Sequence, residues 1–304
     1  MNVGLIDVDG HNFPNLALMK ISAWHKAKGD HVEWCVPILH YERVYQSKVF
    51  DDTYSPDIDW IPQADEVIRG GTGYGLENKL PDEIEHMYPD YSLYPELTKD
   101  TAYGFLTRGC PRGCGFCIVA SKEGRCSRKV ADLSEFWDGQ KNIILLDPNI
   151  LACKDKADLL EQLVESRAYV NFSQGLDIRL VGEQDVDALN RMRIKRLHFA
   201  WDNPKDRLED YFRSFSEMYR RKSRAGKVVY VLVNFGSTME ENLYRIYTLR
   251  DLGFDPFVMI YDKPNAPAEI KRLARWCNNK FIFGSCKNFG DYNGLGNQVE
   301  GATK

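Results

Sequence analysis

No apolar run in this 304-residue sequence approaches the ~20 residues that a membrane-spanning helix needs. The opening Met-Asn-Val-Gly-Leu-Ile-Asp-Val-Asp has no basic stretch and no small-residue cleavage site, so it does not read as a signal peptide. The cytoplasm is therefore the expected compartment, where thiols stay reduced. Positive charge is not in excess either. The net charge is −4, which argues against broad, charge-driven nucleic-acid binding. Internal repeats and low-complexity blocks are missing. So is a second Cys-x2-Cys, which a closed structural zinc site would use. With 28% charged and 43% hydrophobic residues, the chain reads as globular, with room for one large core or two smaller ones.

What the sequence does have is thiol: eight cysteines, three of them within eight residues. Cys110, Cys114 and Cys117 lie in Thr-Arg-Gly-Cys-Pro-Arg-Gly-Cys-Gly-Phe-Cys, a Cys-x3-Cys-x2-Cys loop. Three thiolates can hold three corners of a cubic iron–sulfur cluster and leave the fourth iron open. An ordinary electron-transfer cluster is closed by four cysteines. Gly109, Gly113 and Gly115 remove side chains where the backbone must curl, and Pro111 limits the loop's freedom. Phe116 sets an aromatic ring beside the third ligand. Of the scattered cysteines Cys35, Cys126, Cys153, Cys277 and Cys286, Cys126 is the nearest to a fourth ligand. A Lys-Glu-Gly turn and an arginine separate it from the loop, so the open site is the expectation.

Cys-x3-Cys-x-aromatic-Cys after the first strand of a β/α series resembles the signature of radical S-adenosylmethionine (radical SAM) enzymes. The resemblance covers the motif and, more loosely, residues from about 100 to about 285. It implies a 4Fe–4S cluster on the three cysteines, with the methionine end of S-adenosylmethionine on the open iron. It also implies reductive release of a 5′-deoxyadenosyl radical, fed by a flavodoxin- or ferredoxin-like electron donor.

The expected fold class is α/β: a partial (β/α)6 TIM-like barrel preceded by a small Rossmann-like α/β domain. Short apolar strands are expected at Tyr103–Thr107, Asn142–Leu146, Val170–Ser173, Arg196–Ala200, Val228–Val233 and Pro256–Ile260. Amphipathic stretches alternate with them at Asp132–Asp138, Lys156–Arg167, Glu183–Arg193, Asp206–Arg224, Met239–Leu252 and Ala268–Asn278. Such alternation argues for a parallel sheet, and the region is short for a full eight-stranded barrel.

Polar residues gather just past the strands, where parallel β/α folds bind ligands. By their place in the fold, the resemblance assigns Asp147 and Asn149 to the methionine amino group. It assigns Gln174, Asp177 and Arg179 to the ribose or carboxylate, and Asp202 to either. Asn234 opens the Asn-Phe-Gly-Ser-Thr turn expected under the adenine. The family's Gly-Gly-Glu after the second strand is replaced by Asp147-Pro148-Asn149. No side chain is singled out as catalytic, and no residue set specifies the substrate.

Residues 1–95 are expected to be a separate unit, 96–287 the barrel and 288–304 a flexible tail. In the first unit a strand–helix–strand start leads to a glycine-rich return, Arg69-Gly-Gly-Thr-Gly-Tyr-Gly75. It resembles the cobalamin-binding domain that precedes some radical SAM cores. Asp9-Gly10-His11 matches that domain's Asp-x-His, but the glycine expected after it is absent. The unit is thus read as a degenerate domain that no longer binds cobalamin. A Tyr- and Pro-rich connector, Met87–Pro95, follows at the expected junction.

Two alternatives stand beside this reading: a cobalamin-dependent radical SAM methyltransferase, and a non-enzymatic iron–sulfur sensor or scaffold. The N-terminal unit has only Cys35, which disfavours a methylthiotransferase with a second cluster. The basic clusters Arg191–Arg196 and Arg220–Arg224 read as solvated helix ends, with an RNA contact as the alternative.

Overall fold

The computed structural model describes residues 1–10 and 12–293. The chain divides into two compact units, Met1–Val170 and the part from Asn171 onward. The boundary read at 95/96 falls inside the first unit.

The first unit opens with a four-stranded sheet of order β2-β1-β3-β4. Its strands are β1 (Asn2–Asp7), β2 (His31–Trp34), β3 (Tyr41–Ser47) and β4 (Ala64–Gly70), and every pairing is parallel. Helix α1 (Leu16–Ala27) crosses from β1 to β2. It starts where the Asn15 side chain accepts from the Leu18 amide at 3.2 Å, and it ends before Gly29, whose φ of +83° suits only glycine well. Leu18 and Ile21 of α1 pack with Val3, Leu5 and Tyr45 on one face of the sheet. On the other, Ile58 and Trp60 pack with Ile6, Tyr41 and Val44. A helix thus covers one face and a loop the other.

The Tyr-rich connector is pinned by hydrogen bonds rather than by an apolar pattern. It includes the short helices α2 (Asp82–Glu85) and α3 (Pro95–Thr98). Tyr94 donates to Asp7 at 2.5 Å, and Tyr91 donates to the Phe136 carbonyl at 2.5 Å. The connector thereby joins the end of β1 to the chain beyond residue 100 within this one unit.

A second sheet has the order β12-β11-β10-β9-β8-β5. Its strands are β5 (Thr101–Gly104), β8 (Asn142–Leu145), β9 (Tyr169–Phe172), β10 (Arg193–Ala200), β11 (Lys227–Val233) and β12 (Asp255–Ile260), and the units divide inside β9. β5 pairs with β8 in parallel, as β10 does with β11 and β11 with β12. The strand expected at Tyr103–Thr107 is broken: β5 stops at Gly104, and β6 (Thr107–Arg108) pairs instead with β7 (Arg128–Lys129), antiparallel. Between β6 and β7 lies α4 (Val119–Lys122), and α5 (Lys156–Ser166) leads to β9.

In the second unit α6 (Glu183–Arg191), α7 (Glu209–Met218), α8 (Met239–Asp251), α9 (Ala268–Asn278) and α10 (Lys280–Ser285) complete the alternation. Its core is aromatic: Phe199 of β10 meets Phe212 and Phe215 of α7 and Phe254 at centroid distances of 5.0–6.1 Å. The stretch Asp132–Asp138 forms only a 3-10 turn, Leu133–Glu135, and α7 is shorter than the expected Asp206–Arg224. At the start of the expected tail Phe289 and Tyr292 are buried, Phe289 at 5.6 Å from the Trp276 ring, and the residues between and beside them are exposed. Residues 294–304, and His11, lie outside the described residues. Among the described residues no helix is long and apolar enough to cross a membrane.

Candidate functional site in the cysteine loop

The three cysteines sit on an excursion between β6 and β7 whose root is tied on both sides. From the end of β8, the Asp147 carboxylate accepts from the Leu106 amide at 3.1 Å, from the Thr107 amide, and from the Thr107 hydroxyl at 2.7 Å. On the other side Glu123 accepts from the Gly109 amide at 3.0 Å and from Arg108 at 2.9 Å. The Arg108 guanidinium lies 3.9 Å over the Phe105 ring, so the segment entering the loop is held by charge, hydrogen bonds and packing together. Burial pushes the Asp147 carboxyl up to about 6, against the hydrogen bonds from Thr107 and Leu106 that favour its charged form.

Inside the loop two glycines carry the curl. Gly109 has φ +88° and Gly113 φ +58°. The Cys117 amide donates to the Cys114 carbonyl at 3.0 Å, a tight turn between the last two cysteines. The Cys110 amide donates to the Gly124 carbonyl at 3.1 Å. A Cβ on Gly109 would lie 3.1 Å from the carbonyl carbon of Cys126, and closer still to its oxygen. Residues 124–126 therefore run directly beside the start of the loop, although their sequence separation pointed the other way. The Lys-Glu-Gly turn folds them back.

Cys114, Cys117 and Cys126 are exposed, Cys110 is half-buried, and none of the eight cysteines is in a disulfide. Among the described residues no three His, Cys, Asp or Glu side chains stand close enough together to hold a metal ion. The donor set still fits an iron–sulfur cluster in its chemistry: three thiols on one glycine-relaxed loop. An orphaned polar atom lies beside it. Asn149 is 3% exposed, its Nδ2 donates to Cys110 Sγ at 3.6 Å, and its Oδ1 is buried without a hydrogen-bond partner. Asp147 and Asn149 thus both serve the cysteine loop, one at its root and one at its first sulfur. Phe116 lies between the second and third cysteines.

In the second unit some of the sequence-expected residues come together and others do not. Asp177 accepts from Arg179 Nε at 2.7 Å, and Arg179 reaches Asp206 at 2.8 Å. Asp202 follows the end of β10. Burial pushes its carboxyl up to about 6; Arg245 and Arg179 oppose that shift, and Asp206 adds to it. Gln174 is exposed on the turn after β9. Asn234, at φ +64°, donates to the Tyr261 carbonyl at 2.9 Å and links the ends of β11 and β12.

Two partners of these residues escaped the sequence reading. Asp206 was assigned to a helix that starts only at Glu209. Arg245 is fully buried and donates to the carbonyls of Trp201 at 2.6 Å, Asp202 at 2.9 Å and Leu232 at 3.0 Å. An arginine next to Ile246, inside the apolar pattern of α8, was the available signal.

The glycine-rich return of the first unit is used for close chain packing. A Cβ on Gly71 would lie 3.0 Å from the carbonyl carbon of Lys48, and one on Gly73 the same distance from that of Phe50, with each oxygen nearer still. Asp9, in the motif carrying His11, accepts from the Val49 and Phe50 amides at 2.9 and 2.7 Å.

No protein-family model matches this sequence, and no curated protein matches it. Among solved structures, the chain is similar to the radical S-adenosylmethionine methyltransferase TsrM from Kitasatospora setae, whose structure has cobalamin and a 4Fe–4S cluster bound. The TM-score is 0.42 and the identity 12%, over 84% of this chain and 66% of that one, so this chain spans just under two thirds of the other's length.

Proposed function

We propose that this protein is a radical SAM enzyme in which Cys110, Cys114 and Cys117 hold a 4Fe–4S cluster. The observation that carries the reading is the cysteine loop: three thiols in eight residues, outside any disulfide, on a loop curled by Gly109 and Gly113. Asp147 and Glu123 fix the root of that loop, so the thiols start from a defined frame. When bound, the cluster and S-adenosylmethionine supply a 5′-deoxyadenosyl radical by one-electron reduction. In the proposal the β5 and β8–β12 series is the partial barrel. The Asp177–Arg179–Asp206 and Asp202–Arg245 groups supply fixed charge at strand ends, where such folds bind ligands. A flavodoxin- or ferredoxin-like protein is the electron donor, and the cytoplasm the compartment. Cobalamin is left out of the reading, because the glycine expected after Asp9-Gly10-His11 is absent from the sequence.

A second reading draws on one observation. Cys126 sits on the segment beside Gly109 and Cys110, where a fourth thiolate would close the cluster and make an iron–sulfur sensor or scaffold. One experiment separates the two. The protein is reconstituted anaerobically with iron and sulfide, then given dithionite and S-adenosylmethionine. Formation of 5′-deoxyadenosine, lost in Cys114→Ala and kept in Cys126→Ala, supports the enzyme. A stable cluster that needs Cys126 and never cleaves S-adenosylmethionine refutes it.

A further inference from the structure

Asn149 is buried more deeply than a solvent-facing amide would be, and its neighbours fix it. Pro148 limits the backbone before it, and the buried Ile150 and Leu151 follow in a 3-10 turn. Its carbonyl accepts from the Ser127 hydroxyl at 2.9 Å, which ties it to the far end of the cysteine loop. Only the side-chain amide is left to act, and its nitrogen faces the sulfur of Cys110 at 3.6 Å. A metal-ligating thiolate can only accept, so the N–H side of the amide is the side such a sulfur requires. The oxygen then remains buried and unpartnered beside it, a cost that native proteins seldom carry without a function.

We infer that Asn149 is a positioning residue for the cluster: it holds the Cys110 sulfur through an N–H···S bond and thereby raises the cluster's reduction potential. The inference rests on the cluster reading above. Its physical basis is general. Reduction adds negative charge that spreads onto the ligand sulfurs, and a fixed donor stabilises the reduced form more than the oxidised one.

The test compares wild type with Asn149→Leu, which keeps the branching and the number of heavy atoms but has no donor, and Asn149→Asp, which keeps the shape and lacks the donor when ionised. Each is reconstituted anaerobically, assayed for iron and titrated for its midpoint potential by electron paramagnetic resonance. The expected result is wild-type iron content with a more negative midpoint in both variants. Unchanged midpoints in fully loaded variants overturn the inference. So does a shift in Asn149→Asp alone, which would be a simple charge effect, or loss of iron from both variants, which would make the role structural. A wild type that takes up no iron overturns the cluster reading itself, and the inference with it.

Discussion

Gly109→Ala tests whether the cysteine loop owes its shape to backbone contact. Two penalties act on the alanine. The first is conformational: φ is +88°, and an L-residue in the left-handed region costs about 1–2 kcal/mol. The second is steric. The new Cβ would lie 3.1 Å from the Cys126 carbonyl carbon, nearer to its oxygen, and 3.2 Å from the Gly124 oxygen, all backbone atoms that cannot rotate away. Relief requires the strands of the loop to part. That weakens the Cys110 amide bond to Gly124 and the Gly109 amide bond to Glu123, at about 1 kcal/mol each. The expected loss is therefore about 3–4 kcal/mol. Gly139→Ala is the control. Its φ is +84°, but nothing lies within 4 Å of its Cβ position, so only the first penalty applies. Denaturant unfolding of the cluster-free protein, fitted for both variants, gives the difference. A Gly109→Ala loss equal to that of Gly139→Ala would refute the packing argument.

Arg245→Met removes a buried guanidinium from four backbone carbonyls and from the Asn242 side chain, 2.7 Å away. Stranded acceptors make this a loss of about 3–5 kcal/mol in denaturant unfolding, with the ends of β10 and β11 loosened first in hydrogen exchange. Asp202 carries a pH signature. Its folded pKa of about 6 lies above the ordinary 3.8, so the folded state takes up the proton more readily than the unfolded chain. Its contribution to stability is complete below about pH 4 and is lost as pH rises through 6, at about 3 kcal/mol in all. Unfolding free energies of wild type minus Asp202→Asn should thus fall between pH 4 and 7, and a flat difference would contradict the burial of that carboxyl.

Much of the alternation was legible because apolar strands bounded by turn residues announce themselves. β10, β11 and β12 were found to within a few residues, since Leu197, Phe199, Val229 and Val258 form clear buried positions. β3 was not found. Its sequence Tyr-Glu-Arg-Val-Tyr-Gln-Ser interrupts the apolar pattern with two charges and ends in buried polar residues. Gln46 and Ser47 are tolerated inside because Asp57, Tyr74 and Asn15 bond them, and such partners, distant in sequence, leave no periodic trace. The cysteine loop was legible as a motif, and its frame was not. Cys126 looked remote in sequence, and the fold-back at Gly124 brings its backbone, and the Glu123 carboxylate, alongside Gly109. Asp147 and Asn149 were placed at the mouth by their position after a strand; their engagement with Leu106, Thr107 and Cys110 depends on tertiary geometry.

The strand order of the first sheet also constrains how the chain is made. β1 lies between β2 and β3, both later in the sequence, so neither of its edges has a partner when it leaves the ribosome. At roughly 5–20 residues per second, synthesis takes seconds to reach the end of β3. During that interval Val3, Leu5 and Ile6, all buried in the finished sheet, stand exposed on an open edge. Slow synthesis through residues 8–47 should therefore favour aggregation of the nascent chain, and a chaperone that shields the first strand should relieve it.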